Sequence, residues 1–148
     1  MKKALAMAAF VCMWGGEVVA GYIYWLGVGG SYTGNFEVAS NWDAGVPGAN
    51  DWACFKNTTT KNWEVMFNSD VTNLTFLSDT DALNYETRFV LNQHVWTAVD
   101  QFYFRKGVGG RVTFTNGTLR TKSLHCYPDT TVSPLYMALA LKGVVCEA

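Results

Sequence analysis

The chain has 148 residues, 49% hydrophobic, 15% aromatic and 16% charged. That is the length of one domain and the composition of a folded one, which excludes charged disorder. Eleven Lys and Arg against twelve Asp and Glu leave a formal charge of −1, and without a basic excess a dedicated nucleic-acid binder is not expected.

Residues 1–20 read as a leader. Lys2 and Lys3 supply a positive start, Ala4 to Trp14 is an uncharged apolar stretch, and Val18 and Ala20 are small residues ahead of Gly21. This is a Sec-type signal peptide cleaved after Ala20, too short in its apolar part for a membrane span. The expected localisation is secreted or cell-surface, with no membrane span after cleavage. Cleavage would leave Cys54, Cys126 and Cys146. In an oxidising compartment Cys126 and Cys146 are the candidate disulfide, a loop worth about 3 kcal/mol. Cys54, in the apolar run WACF, reads as a buried thiol. His94 and His125 share no ligand spacing with the cysteines, so no metal or other cofactor is expected.

Residues 21–61 are rich in Gly and aromatics, with turn chemistry at VGG, YTGN, DAGVPGAND and NTTT. They read as an N-terminal cap. Residues 62–124 read as strands. Trp63, Val65 and Phe67 alternate, then Leu74 and Phe76, Phe89 and Leu91, Phe102 and Phe104, Val112 and Phe114. Asn68, Asn92 and Asn116 recur every 24 residues, each closing a strand-like run and each followed three residues later by Val71, Val95 or Leu119. A period of that length points to a solenoid, in which the three asparagines would form a structural ladder at one corner. A competing local reading makes Asn116-Gly117 a type I′ hairpin turn pairing Phe114 with Leu119. Residues 125–148 are a tail: a short helix with Ser133 as N-cap, Pro134 at its first position and Gly143 past its end, or the stump of a truncated chain.

Several pieces resemble the opening of secreted autotransporter-type proteins built from autotransporter-associated β-strand repeats. They are Trp25-Leu-Gly-Val-Gly-Gly, Ala39-Ser-Asn-Trp42, and Gly45-Val-Pro-Gly-Ala-Asn-Asp51 with Cys54-Phe55. Val71-Thr-Asn-Leu-Thr-Phe76 and Val112-Thr-Phe-Thr-Asn-Gly-Thr-Leu119 are similar to their strand repeats. The resemblance spans residues 22–124. It implies an all-β fold, a short right-handed parallel β-helix of about three coils under the aromatic cap. The implied role is non-catalytic, that of a structural or adhesive passenger of a bacterial surface. Such proteins are commonly several hundred residues long. The alternative fold is an antiparallel β-sandwich.

Two surface features invite a ligand. Trp25, Tyr32, Trp42 and Trp52, with Tyr22 and Tyr24, would stack on the apolar faces of sugar rings if exposed, making the chain a carbohydrate-binding module; buried, they would simply close the solenoid. Arg105, Lys106, Arg111, Arg120 and Lys122 form a basic stripe suited to an anionic polysaccharide. Residues 21–86 carry −6 and residues 87–148 carry +4. The expected partner is thus a polysaccharide or cell-surface glycan, with the oligomeric state open. Asp79, Asp81, Asn84 and Glu86 have oxygen ligands but lack the alternation and the Gly of a calcium loop. No nucleophile, base or carboxylate pair forms a recognisable catalytic set. A fragment of a polysaccharide-degrading β-helix enzyme would demand one.

Overall fold

The computed structural model describes residues 20–27, 32–80, 85–107, 110–127 and 138–148. The leader, apart from Ala20, and the calcium candidates Asp81 and Asn84 lie outside the described residues. Among the described residues nine strands form the fold: β1 (Tyr22–Tyr24), β2 (Thr33–Asn35), β3 (Trp52–Phe55), β4 (Trp63–Met66), β5 (Val71–Thr80), β6 (Glu86–Val90), β7 (Val95–Gly107), β8 (Arg111–Tyr127) and β9 (Ala138–Glu147), with one 3-10 turn at Ala39–Asn41. They make one curled sheet in the order β1-β3-β5-β7-β8-β6-β4-β2, with β9 also on β8, and every strand pair is parallel.

The order has a simple cause. Parallel strands cannot be joined by a tight turn, so the chain leaves one flank, crosses two others and returns beside itself. Asn92 Nδ2 donates to the carbonyl of Phe67, 25 residues earlier. On the first flank Val65, Phe89, Phe114 and Leu141 lie side by side. On the second, Val71, Trp96, Leu119 and Cys146 do. On the third, Ile23, Ala53, Phe76, Phe102 and Leu124 do. The long strands β5, β7, β8 and β9 each turn a corner and serve more than one flank. Register shifts at Asn73/Thr75 and Ala98/Gln101 mark two of those corners.

The alternation read from the sequence fills the concave side. Phe36, Phe55, Phe67, Phe76, Phe89, Phe102, Phe104 and Phe114 are all fully buried around Trp96. Trp96 meets Phe67, Phe76, Phe89 and Phe102 at ring-centre distances of 4.9, 5.1, 5.3 and 5.4 Å. Most of these contacts are tilted or edge-to-face, the arrangement that aromatic quadrupoles favour; such pairs add about 0.5–1.5 kcal/mol beyond area burial. Phe89 stacks on Phe114 at 4.9 Å, as side-by-side positions of neighbouring parallel strands allow. Asn73 is a polar member of this interior, and its Oδ1 accepts the Trp96 indole N–H at 2.5 Å.

The antiparallel sandwich and its hairpin do not form. Phe114 pairs with Phe89 and Leu141, whereas Leu119 pairs with Trp96 and Cys146. A type I′ turn needs positive φ at both central residues. Asn116 has φ 55, but Gly117 is not among the positive-φ glycines, so β8 bends at this point and runs on. The turn with both central residues at positive φ is Leu91–His94, with Asn92 at 50 and Gln93 at 69, closed by His94 N–H donating to Leu91 O at 2.8 Å. Nor does a helix occupy the end of the tail, since residues 138–147 are β9, paired with β8 along both of its halves. Alternating Leu139 and Leu141, with Gly143 at φ 62 for the bend, make that segment one more pass of the sheet.

Candidate functional site

The site is built on the two ends and the outer face of the third flank. At the N-terminal end Trp25 and Trp42 form an isolated antiparallel bridge, their rings edge-to-face at 5.1 Å. Trp42 Nε1 donates to Phe36 O at 2.7 Å, and Asn41 Nδ2 to Asn35 O at 2.8 Å. Asp43 covers the free edge of β1, accepting Tyr24 N–H at 2.8 Å and donating its own N–H to Tyr24 O. Asp51 closes the preceding loop by accepting the N–H groups of Gly48 and Gly21. Trp25 and Trp42 are each 3% exposed, so neither has a face for a sugar; their burial seals the aromatic core, as an end of the sheet requires. Tyr32 is half-buried against that same core.

Trp52 belongs elsewhere. Parallel pairing sets Tyr22 beside Trp52 on the outward side of the third flank, with ring centres 4.8 Å apart. Tyr22 is 55% exposed. Next to this shelf Tyr24, Cys54 and Leu77 lie in register across β1, β3 and β5. They line a cavity of about 480 Å³ together with Tyr22, Lys56 and Asp79. The buried Oδ1 of Asp79 has no hydrogen-bond partner among the described residues. Burial pushes the Cys54 thiol up to about 12, with the Asp43 and Asp79 charges adding to it against a lowering backbone hydrogen bond from Ile23. Burial foremost also raises the Tyr24 phenol. Both groups therefore stay neutral near pH 7, where they offer hydrogen bonds in place of nucleophilic anions. Two aromatic rings, a neutral phenol, an ammonium and a carboxylate can grip a polyhydroxylated ring.

The basic residues are dispersed. Arg111 starts β8 on the first flank, in register with Glu86. Arg120 lies on the second flank, where Nε and Nη2 donate to Glu147 Oε2 at 3.0 and 2.7 Å, and Lys122 is exposed at the corner beyond it. Arg105 is in register with Asp79 on the third flank. For Lys106, as for Arg105, only the backbone position in β7 is described. Strand register thus carries the stripe over three flanks instead of one.

The three asparagines occupy corners between the first and second flanks, but they do different work. Asn92 donates to the Phe67 carbonyl. Asn116 accepts from the Gln93 N–H at 2.6 Å through its main chain. Asn68 has its own N–H taken by Glu37 Oε1 at 2.8 Å. Cys126 and Cys146 are free and exposed. Cys126 lies beside Phe104 on the third flank and Cys146 beside Leu119 on the second. The chain turns a corner between them, so strand register does not set this candidate pair side by side.

A second, smaller cleft of about 230 Å³ lies on the first flank between Thr33, Asn62, Trp63, Glu64, Glu86 and Arg88. Arg88 Nη1 pairs with Glu64 at 3.2 Å, and Glu86 accepts the Thr113 hydroxyl, so both carboxylates are committed to neighbouring strands. Among the described residues no group of His, Cys, Asp or Glu is placed to hold a metal ion. Lys56 and Leu77 escape sequence reasoning, and Asp79 is singled out there only as a calcium ligand, because only strand register brings them to the aromatics. No protein-family model matches the chain, and comparison with curated proteins and with solved structures returns no match to either.

Proposed function

We propose that the chain is the N-terminal part of an exported right-handed parallel β-helix, a non-catalytic structural or adhesive passenger. The parallel register that sets Val65, Phe89, Phe114 and Leu141 side by side carries this reading, because such a stack repeats one short crossover and needs no other domain to define it. Parallel crossovers are right-handed in nearly all cases. The basic leader and the resemblance of the Trp25–Phe55 segment support the exported surface role. The test is expression of the full chain in a bacterial host, with N-terminal sequencing of the product outside the cytoplasm. A mature protein beginning at Gly21 is expected. An uncleaved chain retained in the cytoplasm overturns the reading.

The aromatic shelf supports a second reading, a carbohydrate-binding module on the third flank. It uses Tyr22 and Trp52 as the stacking platform and the neighbouring Lys56 and Asp79 for hydroxyl groups. Tryptophan emission titrated with neutral and acidic polysaccharides decides between the two. A saturable shift that Trp52→Ala abolishes establishes the module, and emission indifferent to every glycan leaves the passenger.

A further inference from the structure

β1 begins against the loop that Asp51 closes. Trp52 N–H donates to Gly21 O at 2.7 Å, which fixes Gly21 beside Asp51 at the head of the β1–β3 pair. Asp51 is held by its own main chain as well: its carbonyl accepts the Leu74 N–H at 2.8 Å, and its N–H donates to Gly48 O at 3.0 Å. The carboxylate then joins two segments, Oδ2 accepting the Gly48 N–H at 2.9 Å and Oδ1 the Gly21 N–H at 3.3 Å. That approach suits a residue without a side chain, since a Cβ on Gly21 would come within 3.2 Å of Oδ1. Among the described residues no cation pairs with this carboxylate. An aspartate is thus aimed at the main-chain nitrogen that cleavage after Ala20 would free.

We propose that processing completes this corner, a step that rests on the exported reading above: hydrolysis of the Ala20–Gly21 peptide bond turns the Gly21 nitrogen into an α-ammonium that forms an ion pair with Asp51. Water adds across the bond. The new carboxylate leaves with Ala20 and the amine stays on Gly21, where it carries a proton near neutral pH. A neutral donor becomes a charged one at the same place, and charge-assisted hydrogen bonds are shorter and roughly twice as strong. Exposed ion pairs between long side chains contribute little, because both chains must be ordered to meet. Here the order exists beforehand: one partner is main chain tied to Trp52, the other a short side chain tied to Gly48. The uncut chain holds β1 to this loop by an amide hydrogen bond, the mature chain by an ion pair. Removal of the leader is therefore a switch in stability, local in its chemistry and felt by the whole cap. An exported chain of this design is less stable before processing than after it.

Two versions of the full chain, each with a site-specific protease sequence placed in the leader, release a product that begins either at Gly21 or at Ala20, and mass spectrometry identifies each. Both products have lost the leader. They differ by one residue, which moves the ammonium about 3.8 Å along the chain and leaves an uncharged amide at Gly21. The Gly21 product should melt higher by about 2–5 °C, and the difference should shrink in about 1 M NaCl. Asp51→Asn should bring the two melting temperatures together. Equal melting temperatures in the native sequence overturn the proposal, as does a difference that survives Asp51→Asn. Should Asp51→Asn fail to fold, the salt comparison on the native sequence decides, and a difference indifferent to salt overturns the proposal. The export experiment fails separately: a chain retained uncleaved in the cytoplasm refutes the leader, whereas equal melting temperatures refute the ion pair.

Discussion

Replacing Gly117 by alanine should destabilise the protein although the backbone there suits any residue. Gly117 is not a positive-φ glycine, so alanine on backbone grounds alone would stabilise by about 0.4–1 kcal/mol through the unfolded chain. Packing opposes this. An added Cβ would meet the Leu91 side chain and lie 2.6 Å from the His94 carbonyl oxygen. That oxygen accepts Thr118 N–H at 3.1 Å, and Gln93 N–H donates to Asn116 O next door, so relieving the clash strains bonds worth about 1 kcal/mol each. Leu91 is fully buried and has little room to yield. Overpacking of about 1–3 kcal/mol plus a weakened bond, less the entropic gain, leaves a net loss of about 2 kcal/mol and a fall in Tm of roughly 8 °C. Urea unfolding followed by tryptophan emission measures it. Gly143→Ala is the control: nothing lies within 4 Å of its added Cβ and φ is +62, so it should cost about 1 kcal/mol from conformation alone. A Gly117→Ala protein as stable as the native one would refute the placement of these two corners against each other.

Trp96→Phe should cost about 2–4 kcal/mol in the same assay, since it opens space among the rings of Phe67, Phe76, Phe89 and Phe102 and strips Asn73 Oδ1 of its donor; a loss under about 0.5 kcal/mol would contradict that packing. Peptide mapping after alkylation of the native protein at pH 8 should find Cys126 and Cys146 modified and Cys54 untouched until denaturant is added, given its burial and a thiol pushed up to about 12; equal labelling of all three would refute the burial. Asp70 accepts the Val95 N–H at 3.0 Å and faces His94 Nδ1 at 3.4 Å. The Val95 bond, above all, holds its carboxyl below the usual range. Its stabilising contribution is therefore complete above the unfolded-state value and fades as pH falls from about 4 through the depressed folded one. Asp70→Asn should flatten the acid limb of a stability–pH curve, and an unchanged limb would show that this carboxylate is not among its causes.

Strand phase was legible because it depends only on neighbours in sequence: Trp63, Val65, Phe67, Phe89, Leu91, Phe102, Phe104, Val112 and Phe114 are all buried, as alternation demands. It failed at the corners. Alternation puts Leu74 inward with Phe76, yet with the register shift after Asn73 Leu74 is only half-buried and the interior slot goes to an asparagine, whose Oδ1 the Trp96 indole satisfies. Asn116-Gly117 has the composition of a hairpin and serves a bend, because its glycine is required by a chain segment about one pass away and not by its own φ. Among the aromatic residues, residue type cannot tell a plug from a shelf. Trp25 and Trp42 became the one, Tyr22 and Trp52 the other, and only register across β1 and β3 separates them. The tail concealed its strand because Gly143 resembles a helix stop as readily as a corner.

The short spacing between partner strands, 22 residues from Phe102 to Leu124 and 31 from Thr33 to Glu64, also bears on how the molecule assembles. Each new layer is added by closing a loop of about twenty-five residues onto a finished template, an entropic cost of about 3 kcal/mol that does not grow as the stack lengthens. No later contact waits on a distant part of the chain. Assembly can therefore begin at the tryptophan plug and advance toward β9 at the pace at which chain becomes available, one layer at a time.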